Sequence, residues 1–451
     1  MEKEFNTQPI WKLMLRLGIP AMFAQMFNIL YSIVDRMFVG NIEGVGELAL
    51  ASIGICAPAV TAITAFAVMI GTGGSALMSM SIGKGERQKA QQVFNNALLM
   101  LIVISVMVTA GVLAWKKELL YLLGCSDAMY PYASCYFTIY IAGTVFSLCG
   151  VGLNSFILAQ GFSRQGMISV SLGAIVNTVL DPILIFAFDM GIAGAAVATV
   201  IAQLVVLVYV LRFLGRKDLT VRLGMGGYQW NVVGRILYIG LMPFLITMLD
   251  NLITILLNMQ LRKFGGEVLG DRYIAATAIV QSFMVLVAGP AQGITTGCTT
   301  LISFHYGAGN YRKTMDSVKW LLILCACYIA IPTAISQWKP EVFVQLFSND
   351  PAQIALASAF VQRYCLMAVG IAVQFACVDG LNAMGKVFYA MPLSLFRKAL
   401  FIVCVLVLPL LADLEYIFWA ESISDFIGPL FTLGVFLLII RPKLKRELVK
   451  T

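Results

Sequence analysis

The sequence predicts an all-α polytopic membrane protein with twelve transmembrane helices in two pseudosymmetric six-helix bundles. Three observations predict this fold class: a very apolar composition, twelve long apolar stretches, and a second half that aligns with the first. Hydrophobic residues make up 60% of the 451 residues and charged residues only 12%, whereas soluble domains carry about 25% charged residues. Since the mean hydropathy is +0.88, lipid must be the main solvent for the protein surface.

Twelve stretches are long enough to cross a bilayer, which takes about 20 mainly apolar residues per helix. We predict them at residues 15–39, 50–80, 93–115, 132–160, 165–188, 191–214, 236–262, 274–304, 317–338, 354–382, 388–412 and 415–440. The connections alternate between basic and acidic, which is the positive-inside pattern. With an even number of spans, this predicts a multi-pass protein of the plasma (inner) membrane with both termini in the cytoplasm.

The two halves of the chain align almost without gaps when the sequence is shifted by 224 residues. Gly73 then falls on Gly297, and Ser79 falls on Ser303. Because each half holds six spans, both halves have the same orientation and form parallel repeats, an arrangement found in transporters. We predict an N-terminal bundle at residues 1–214, a cytoplasmic linker at 215–235 and a C-terminal bundle at 236–451.

Several functional classes are excluded by the sequence. The net charge is +8, but the basic residues lie in alternate loops and not in a continuous patch, so no nucleic-acid partner is expected. The ten cysteines are scattered and form no metal or disulfide pattern. No nucleophile–base pair or phosphate-binding loop is present, so we predict no enzymatic activity and no cofactor. The expected surroundings are the lipid bilayer, and a closed two-bundle plan predicts a monomer.

The most informative positions are those where the repeat fails. Four polar residues of the N-terminal half align with a different residue in the C-terminal half: Asp35 with Asn258, Asn154 with Val378, Asn177 with Phe401 and Asp181 with Val405. Both halves have similar packing demands. Something other than packing therefore placed these polar groups.

Two aspartates within spans are the strongest candidates for function, because an ionisable group there costs several kcal/mol. Tyr31 lies one turn before Asp35, and Asn177 lies one turn before Asp181. Oxygen ligands suit Na⁺, and a buried carboxylate can carry H⁺. We predict a coupling site for H⁺ or Na⁺, with Na⁺ held at Asp35, Asn177 and Asp181. Structural alternatives remain open, in which Asp181 satisfies backbone at Pro182 and Asp35 pairs with the neighbouring arginine.

Other polar residues are weaker candidates. A substrate cavity is predicted from the polar residues Gln25, Asn28, Asp250 and Gln281. Asp379 and Arg397 lie within apolar stretches, where a functional and a structural role are equally supported. Glu421 and Asp425, near the last span, are predicted to serve helix packing. His305 is the only histidine, and its place at a helix end predicts a surface position.

Four segments resemble the multidrug and toxic compound extrusion (MATE) transporters. They are YSIVDRMFVG, LALASIG, GTGGSALMSMSIGKGERQKA and NTVLDPILIFAFDMGIAGAAVATVIAQ. The resemblance covers nearly the whole chain and is to the prokaryotic branch that includes DinF-like and MepA-like proteins. It implies the MATE fold, with export of drug-like organic cations or amphiphiles in exchange for H⁺ or Na⁺.

The resemblance also implies an ion site in the N-terminal bundle. The matching residues are Tyr31 and Asp35 in helix 1, Asn154 in helix 4, Asn177 and Asp181 in helix 5, and Thr199 in helix 6. We therefore predict a secondary active multidrug efflux transporter that works by alternating access. The alternative is a flippase for a lipid-linked saccharide, which has the same general architecture. Few arginines are available to hold its pyrophosphate, Arg363 and Arg397 being the candidates.

Overall fold

The structure, a computed structural model, describes residues 2–347, 350–411 and 413–449, and those residues form helices without strands. The membrane-spanning helices are α1 Ile10–Gly40, α2 Gly46–Gly83, α3 Arg87–Ala114, α4 Tyr130–Ala142 with Thr144–Ala159, α5 Ser163–Ala187, α6 Gly191–Leu214, α7 Trp230–Gly266, α8 Arg272–Gly307, α9 Tyr311–Trp338, α10 Pro351–Ala383, α11 Val387–Leu411 and α12 Leu414–Arg446. Shorter helices lie at Glu2–Thr7, Lys116–Leu122 and Glu341–Val344.

The predicted spans correspond one to one with these helices. Among the described residues, eleven helices are long and apolar enough to cross a membrane, and the bent pair of α4 makes twelve. The predicted fold class is therefore confirmed. Residue 412, the last of the predicted span 388–412, lies outside the described residues, as do residue 1 and residues 450–451 of the predicted bundles.

Several spanning helices are interrupted. The two segments of α4 meet at Gly143 with a bend of 52°, and Val200 packs against this glycine so closely that a side chain would not fit. Helix α5 ends after Pro182 in a π-helical turn, Ile183–Ala187. Helix α10 contains a second π-helical turn, Phe375–Asp379. Such turns often occur at functional sites, and both interruptions lie within the membrane-spanning region.

The internal repeat is visible in individual hydrogen bonds. The hydroxyl of Ser79 donates to the carbonyl of Ala159 at 3.2 Å, and 224 residues later Ser303 donates to Ala383 at 2.7 Å. The loop glycines repeat in the same way: Gly85 has φ 78° and Gly309 has φ 72°. A left-handed φ favours glycine because it has no Cβ. The two halves therefore share side-chain contacts and loop geometry as well as their number of helices.

The described chain divides into two compact units. The first unit comprises Phe23–Thr247 and the second comprises Glu2–Met22 with Met248–Thr451. Compared with the boundaries predicted from sequence, the start of α1 belongs to the second unit and the start of α7 to the first. The predicted linker, residues 215–235, lies in the first unit.

Glycines explain how each unit accepts a helix end from the other half of the sequence. In the first unit, Gly73 of α2 lies against the backbone of Ile236, and Gly240 lies against the backbone of Met69. In the second unit, Gly297 of α8 lies against the backbone of Leu17. In each place a Cβ would overlap with backbone atoms, so these helices approach as closely as they do only because glycine is present.

The connection between α6 and α7 is fixed to the first unit by side-chain amides. Gln91 donates to the carbonyl of Arg222 at 2.7 Å and accepts from its amide at 3.1 Å. Asn95 donates to the carbonyl of Gly226 at 2.9 Å, and the Gln160 side chain accepts from the amide of Val221 at 3.0 Å. The side chain of Val221 is fully buried. This segment is therefore an ordered part of the first unit.

Candidate functional site

Five residues of the first unit form what we call the acidic cluster: Tyr31 and Asp35 on α1, Asn177 and Asp181 on α5, and Thr199 on α6. The helical spacing of four residues places both members of the α1 pair on one face, and likewise both members of the α5 pair. Asp181 is completely buried and Asn177 is 2% exposed. The structure thus brings together five of the six residues that were predicted for ion coupling.

Hydrogen bonds connect the part of the cluster that lies on α5 and α6. The amide of Asn177 donates to Oδ1 of Asp181 at 3.2 Å and lies 3.4 Å from the hydroxyl of Thr199. Thr199 donates its own proton to the carbonyl of Ala195 at 3.0 Å. The carboxyl groups of Asp35 and Asp181 interact directly with each other. Two carboxylates in contact repel each other unless a proton or a cation lies between them.

Three oxygens of the cluster have no hydrogen-bond donor in the structure. They are Oδ1 of Asp35, Oδ1 of Asn177 and Oδ2 of Asp181, and all three are buried. A buried polar atom without a partner is costly, and most such atoms in proteins are satisfied. Carboxylate and amide oxygens fit either a shared proton or a small hard cation, so this donor set suits both H⁺ and Na⁺.

Tyrosines of α4 line the same region. Tyr136 and Tyr140 stack on each other, with ring centroids 6.1 Å apart. Tyr136 lies near Tyr31 and Asp35, and Tyr140 lies near Tyr31. The sequence analysis missed both residues as members of the site. Tyr140 did appear in the sequence as an aromatic residue that recurs as Tyr364, but its recurrence suggested packing only.

The remaining predicted site residues lie apart from the carboxylates. Asn154 accepts a hydrogen bond from Ser169 at 3.0 Å, which links α4 to α5. In the contacts of the described residues, Asn154 does not reach Asp35 or Asp181. Gln25 accepts from Asn28 at 3.4 Å on α1. Gln281 of α8 is half-buried, and no contact places it with the cluster.

The structural alternatives for the two aspartates find little support. Arg36 is exposed, and no ion pair joins it to Asp35 within the part of the chain that the structure describes. The Asp181 oxygen that is bonded accepts from the Asn177 side chain and not from backbone near Pro182. The acidic cluster is therefore surrounded by neutral dipoles and lacks a fixed cation.

The second unit contains a different set of charges, which we call the charged network: Asp250 on α7, Arg397 and Lys398 on α11, and Glu421 and Asp425 on α12. Arg397 donates to Asp425 at 2.6 Å and to Glu421 at 3.1 Å. Lys398 pairs with Asp250. The predicted packing role of the two α12 carboxylates is therefore incomplete, because they hold a buried arginine. The sequence analysis did not identify Lys398.

One prediction is wrong. His305 is completely buried, not at the surface, and neither ring nitrogen has a hydrogen-bond partner. The last turn of α8 packs inward, since the adjacent Phe304 contacts Phe5 at 5.2 Å between ring centroids. A helix end in a polytopic protein can thus be covered by the N-terminal segment, which the local sequence does not reveal.

Comparison with known proteins identifies the family. The MatE family model matches residues 20–183 and 247–407, which is well over half of the chain. The chain belongs to the MatE family. The predicted family is confirmed, and its members are transporters and not enzymes, as the sequence also predicts.

The MatE chain is similar over almost its whole length to curated bacterial exporters. It is 23% identical to the multidrug export protein MepA of Staphylococcus haemolyticus, covering 93% of this chain and 92% of that protein. It is 22% identical to MepA of Staphylococcus aureus strain N315 over the same shares. Family membership and the apolar helices together show a multi-pass membrane protein.

Solved MATE structures share the fold. A crystal structure of MATE in complex with MaD3S superposes with a TM-score of 0.91 at 20% identity and covers 98% of both chains. The outward-facing conformation of a multidrug resistance MATE family transporter of the MOP superfamily superposes with a TM-score of 0.89 at 21% identity, covering 99% of this chain and 98% of that one.

Proposed function

We propose that this protein is a secondary active exporter of organic cations and other amphiphilic drug-like compounds, in exchange for H⁺ or Na⁺. Membership of the MatE family and the multidrug export named for the MepA relatives support this substrate class. The alternating basic loops support a place in the plasma membrane with both termini in the cytoplasm. The protein acts as a monomer, since each half supplies one bundle.

The acidic cluster is the proposed coupling site. The observation that carries this assignment is the set of three buried oxygens without donors, on Asp35, Asn177 and Asp181. A proton or a Na⁺ ion satisfies these oxygens and removes the repulsion between the two carboxyl groups. Its arrival changes the interaction between α1, which carries Asp35, and α5, which carries Asp181.

This change couples ion binding to the exchange between inward- and outward-open states. A ligand shifts a conformational equilibrium only as far as its affinities for the two states differ. If the ion favours the state in which α1 and α5 are held together and the substrate favours the other state, binding of one promotes release of the other. Gln25, Asn28, Asp250 and Gln281 are the proposed polar contacts of the substrate cavity. Asn154 acts through Ser169 by holding α4 against α5.

The flippase alternative is disfavoured by the state of the arginines. A pyrophosphate group needs free guanidinium groups. Arg363 pairs with Glu415 at 2.8 Å, and Arg397 is shared by Glu421 and Asp425. Both candidate arginines are already neutralised, so a polyanionic headgroup gains little from them.

Ethidium efflux from proteoliposomes tests this function. The purified protein is driven by an H⁺ gradient and, in a separate experiment, by a Na⁺ gradient. We expect efflux under one gradient, which identifies the ion, and a loss of at least about tenfold in Asp35→Asn. Asp218→Asn is the matched control, because it neutralises an aspartate that is exposed in the connection between α6 and α7.

Two outcomes contradict the proposal. Full gradient-driven efflux by folded Asp35→Asn would remove the acidic cluster from coupling. Absence of efflux under both gradients by the folded wild-type protein would remove drug antiport itself. Folding is checked in each case by a monodisperse gel-filtration profile and an unchanged thermal transition.

A further inference from the structure

The charged network of the second unit does not balance. It contains three carboxyl groups, on Asp250, Glu421 and Asp425, and two cations, on Arg397 and Lys398. When all five are ionised, the sum is one excess negative charge. Asp425 is 1% exposed, and the side chains of Arg397 and Glu421 are 14% and 13% exposed. An uncompensated charge in such surroundings costs several kcal/mol.

One atom of the network is not used by the protein. Oδ1 of Asp425 accepts from Arg397, whereas Oδ2 of Asp425 is buried and has no partner. Hard metal ions take about six oxygen ligands, and a single free oxygen beside a guanidinium does not supply them. A proton needs only one oxygen. The excess charge on the Glu421–Asp425 pair is therefore suited to protonation.

The other end of the network faces water. The side chain of Asp250 is 51% exposed although it lies near the middle of α7. Since a carboxylate within a span cannot face lipid without a large cost, it must face a wet cavity. A positively charged solute in that cavity can approach Asp250 and compete there with the ammonium group of Lys398.

No other charged group near the network changes this balance. On α10, Tyr364 and Cys365 face Glu421 and Asp425, and both are neutral at ordinary pH. Arg363, also on α10, is paired with Glu415 at 2.8 Å. The five residues of the network therefore account for the local charge.

We propose that the charged network holds one positive charge at a time, either a proton on the Glu421–Asp425 pair or an organic monocation at Asp250, so that cation binding releases a proton. Lys398, displaced from Asp250, then compensates the carboxylate that lost its proton, which lies within its electrostatic reach. This site rests on the proposed function for its substrate class. It adds a second coupling site that is independent of the acidic cluster.

The test measures protons released when tetraphenylphosphonium binds to the purified full-length protein in Na⁺-free solution. This probe is a permanent monocation without titratable groups, so every proton released comes from the protein. The measurement uses the Asp35→Asn variant, which removes the coupling carboxylate of α1. We expect release of close to one proton per probe bound, and an apparent Kd that falls about tenfold for each unit rise in pH, as linkage requires.

Variants of the network sharpen the test. In Asp35→Asn combined with Glu421→Gln, we expect no proton release and a Kd that does not change with pH. Glu415→Gln in the same background is the matched control, because Glu415 belongs to a balanced pair on the same helix, and we expect the release to remain. Asp250→Asn should weaken binding of the probe at least about tenfold, and it keeps the test available if a variant of Glu421 fails to fold.

The outcomes separate this inference from the proposed function. Probe binding to Asp35→Asn without proton release, equal release after Glu421→Gln, or no probe binding by the folded wild-type protein would each overturn the inference. If the wild type exports ethidium in any of these cases, the proposed function still stands. Conversely, proton release from Asp35→Asn by a protein that exports nothing under either gradient would support the network and remove the antiport.

Discussion

Buried carboxylates occur in both units, but their surroundings differ. In the first unit, Asp35 and Asp181 face an amide, a hydroxyl and tyrosine rings. In the second unit, Glu421 and Asp425 share the guanidinium of Arg397. The first group is balanced only by neutral dipoles, whereas the second is balanced largely by a cation that belongs to the protein.

This difference separates two uses of a buried acid. Neutral dipoles stabilise a charge but cannot cancel it, so the acidic cluster requires a mobile positive charge from outside. A fixed arginine cancels most of the charge permanently and ties α11 to α12. Removing one partner therefore has opposite consequences in the two units: loss of an ion site in the first, and loss of stability in the second.

The largest expected effect is on stability in the second unit. Arg397→Met leaves Glu421 and Asp425 buried without their cation, and breaking a buried pair in this way costs about 3–5 kcal/mol. We expect a markedly lower thermal transition in detergent, measured by fluorescence-detected gel filtration after heating. Asp181→Asn in the first unit should leave the transition unchanged or raise it, because no cation loses its partner there.

The control for this prediction is Arg363→Met. Its pair with Glu415 is more exposed, with side-chain exposures of 31% and 41%, and such pairs contribute about 0–1 kcal/mol. Equal destabilisation by Arg397→Met and Asp181→Asn would contradict the distinction between the two units.

An intermediate effect is expected at Asn177. Asn177→Leu keeps the approximate volume of the side chain and removes the donor to Asp181. A hydrogen bond to a charged group contributes about 1.5–3 kcal/mol, which corresponds to at least about a tenfold weaker dependence of efflux on the coupling ion. The measurement is initial ethidium efflux at a series of ion concentrations, with Asn154→Leu as the comparison outside the cluster. Unchanged ion dependence in Asn177→Leu would show that the cluster works without this amide.

The smallest expected effect tests what the units have in common. Ser79→Ala and Ser303→Ala each remove one hydroxyl that donates to the last helical turn before a loop glycine. Each loss should cost about 1 kcal/mol, and the two thermal transitions should fall by similar amounts. A large effect at one serine and none at the other would mean that the repeated geometry does not carry equal energy in the two halves.

The sequence was sufficient for the fold because the bilayer constrains it so strongly. Apolar length sets the spans, and a shift of 224 residues pairs Gly85 with Gly309 and Ser79 with Ser303, whose geometry the structure reproduces. The division of the helices between the two compact units was not apparent. Hydropathy treats α1 as one object and is blind to which neighbour each end of the helix contacts.

The site was predictable where polarity broke the repeat, and less so elsewhere. Asp35, Asn177 and Asp181 stood out because their counterparts in the second half are uncharged. Tyr136 did not, because an aromatic residue in a span is ordinary. Lys398 could have been noticed as a second cation beside Arg397 in an apolar stretch, but its carboxylate partner lies 148 residues away in sequence, which no local pattern reveals.

The exchange of helix ends bears on whether half of this chain could exist alone. Gly73 of α2 lies against the beginning of α7, and Gly297 of α8 lies against the beginning of α1. A fragment ending at residue 214 would leave the groove beside Gly73 empty and the first two turns of α1 without their neighbour. Two fragments produced together can restore both contacts, whereas either fragment alone cannot. Duplication of a six-helix ancestor thus fused two polypeptides that already required each other to fold.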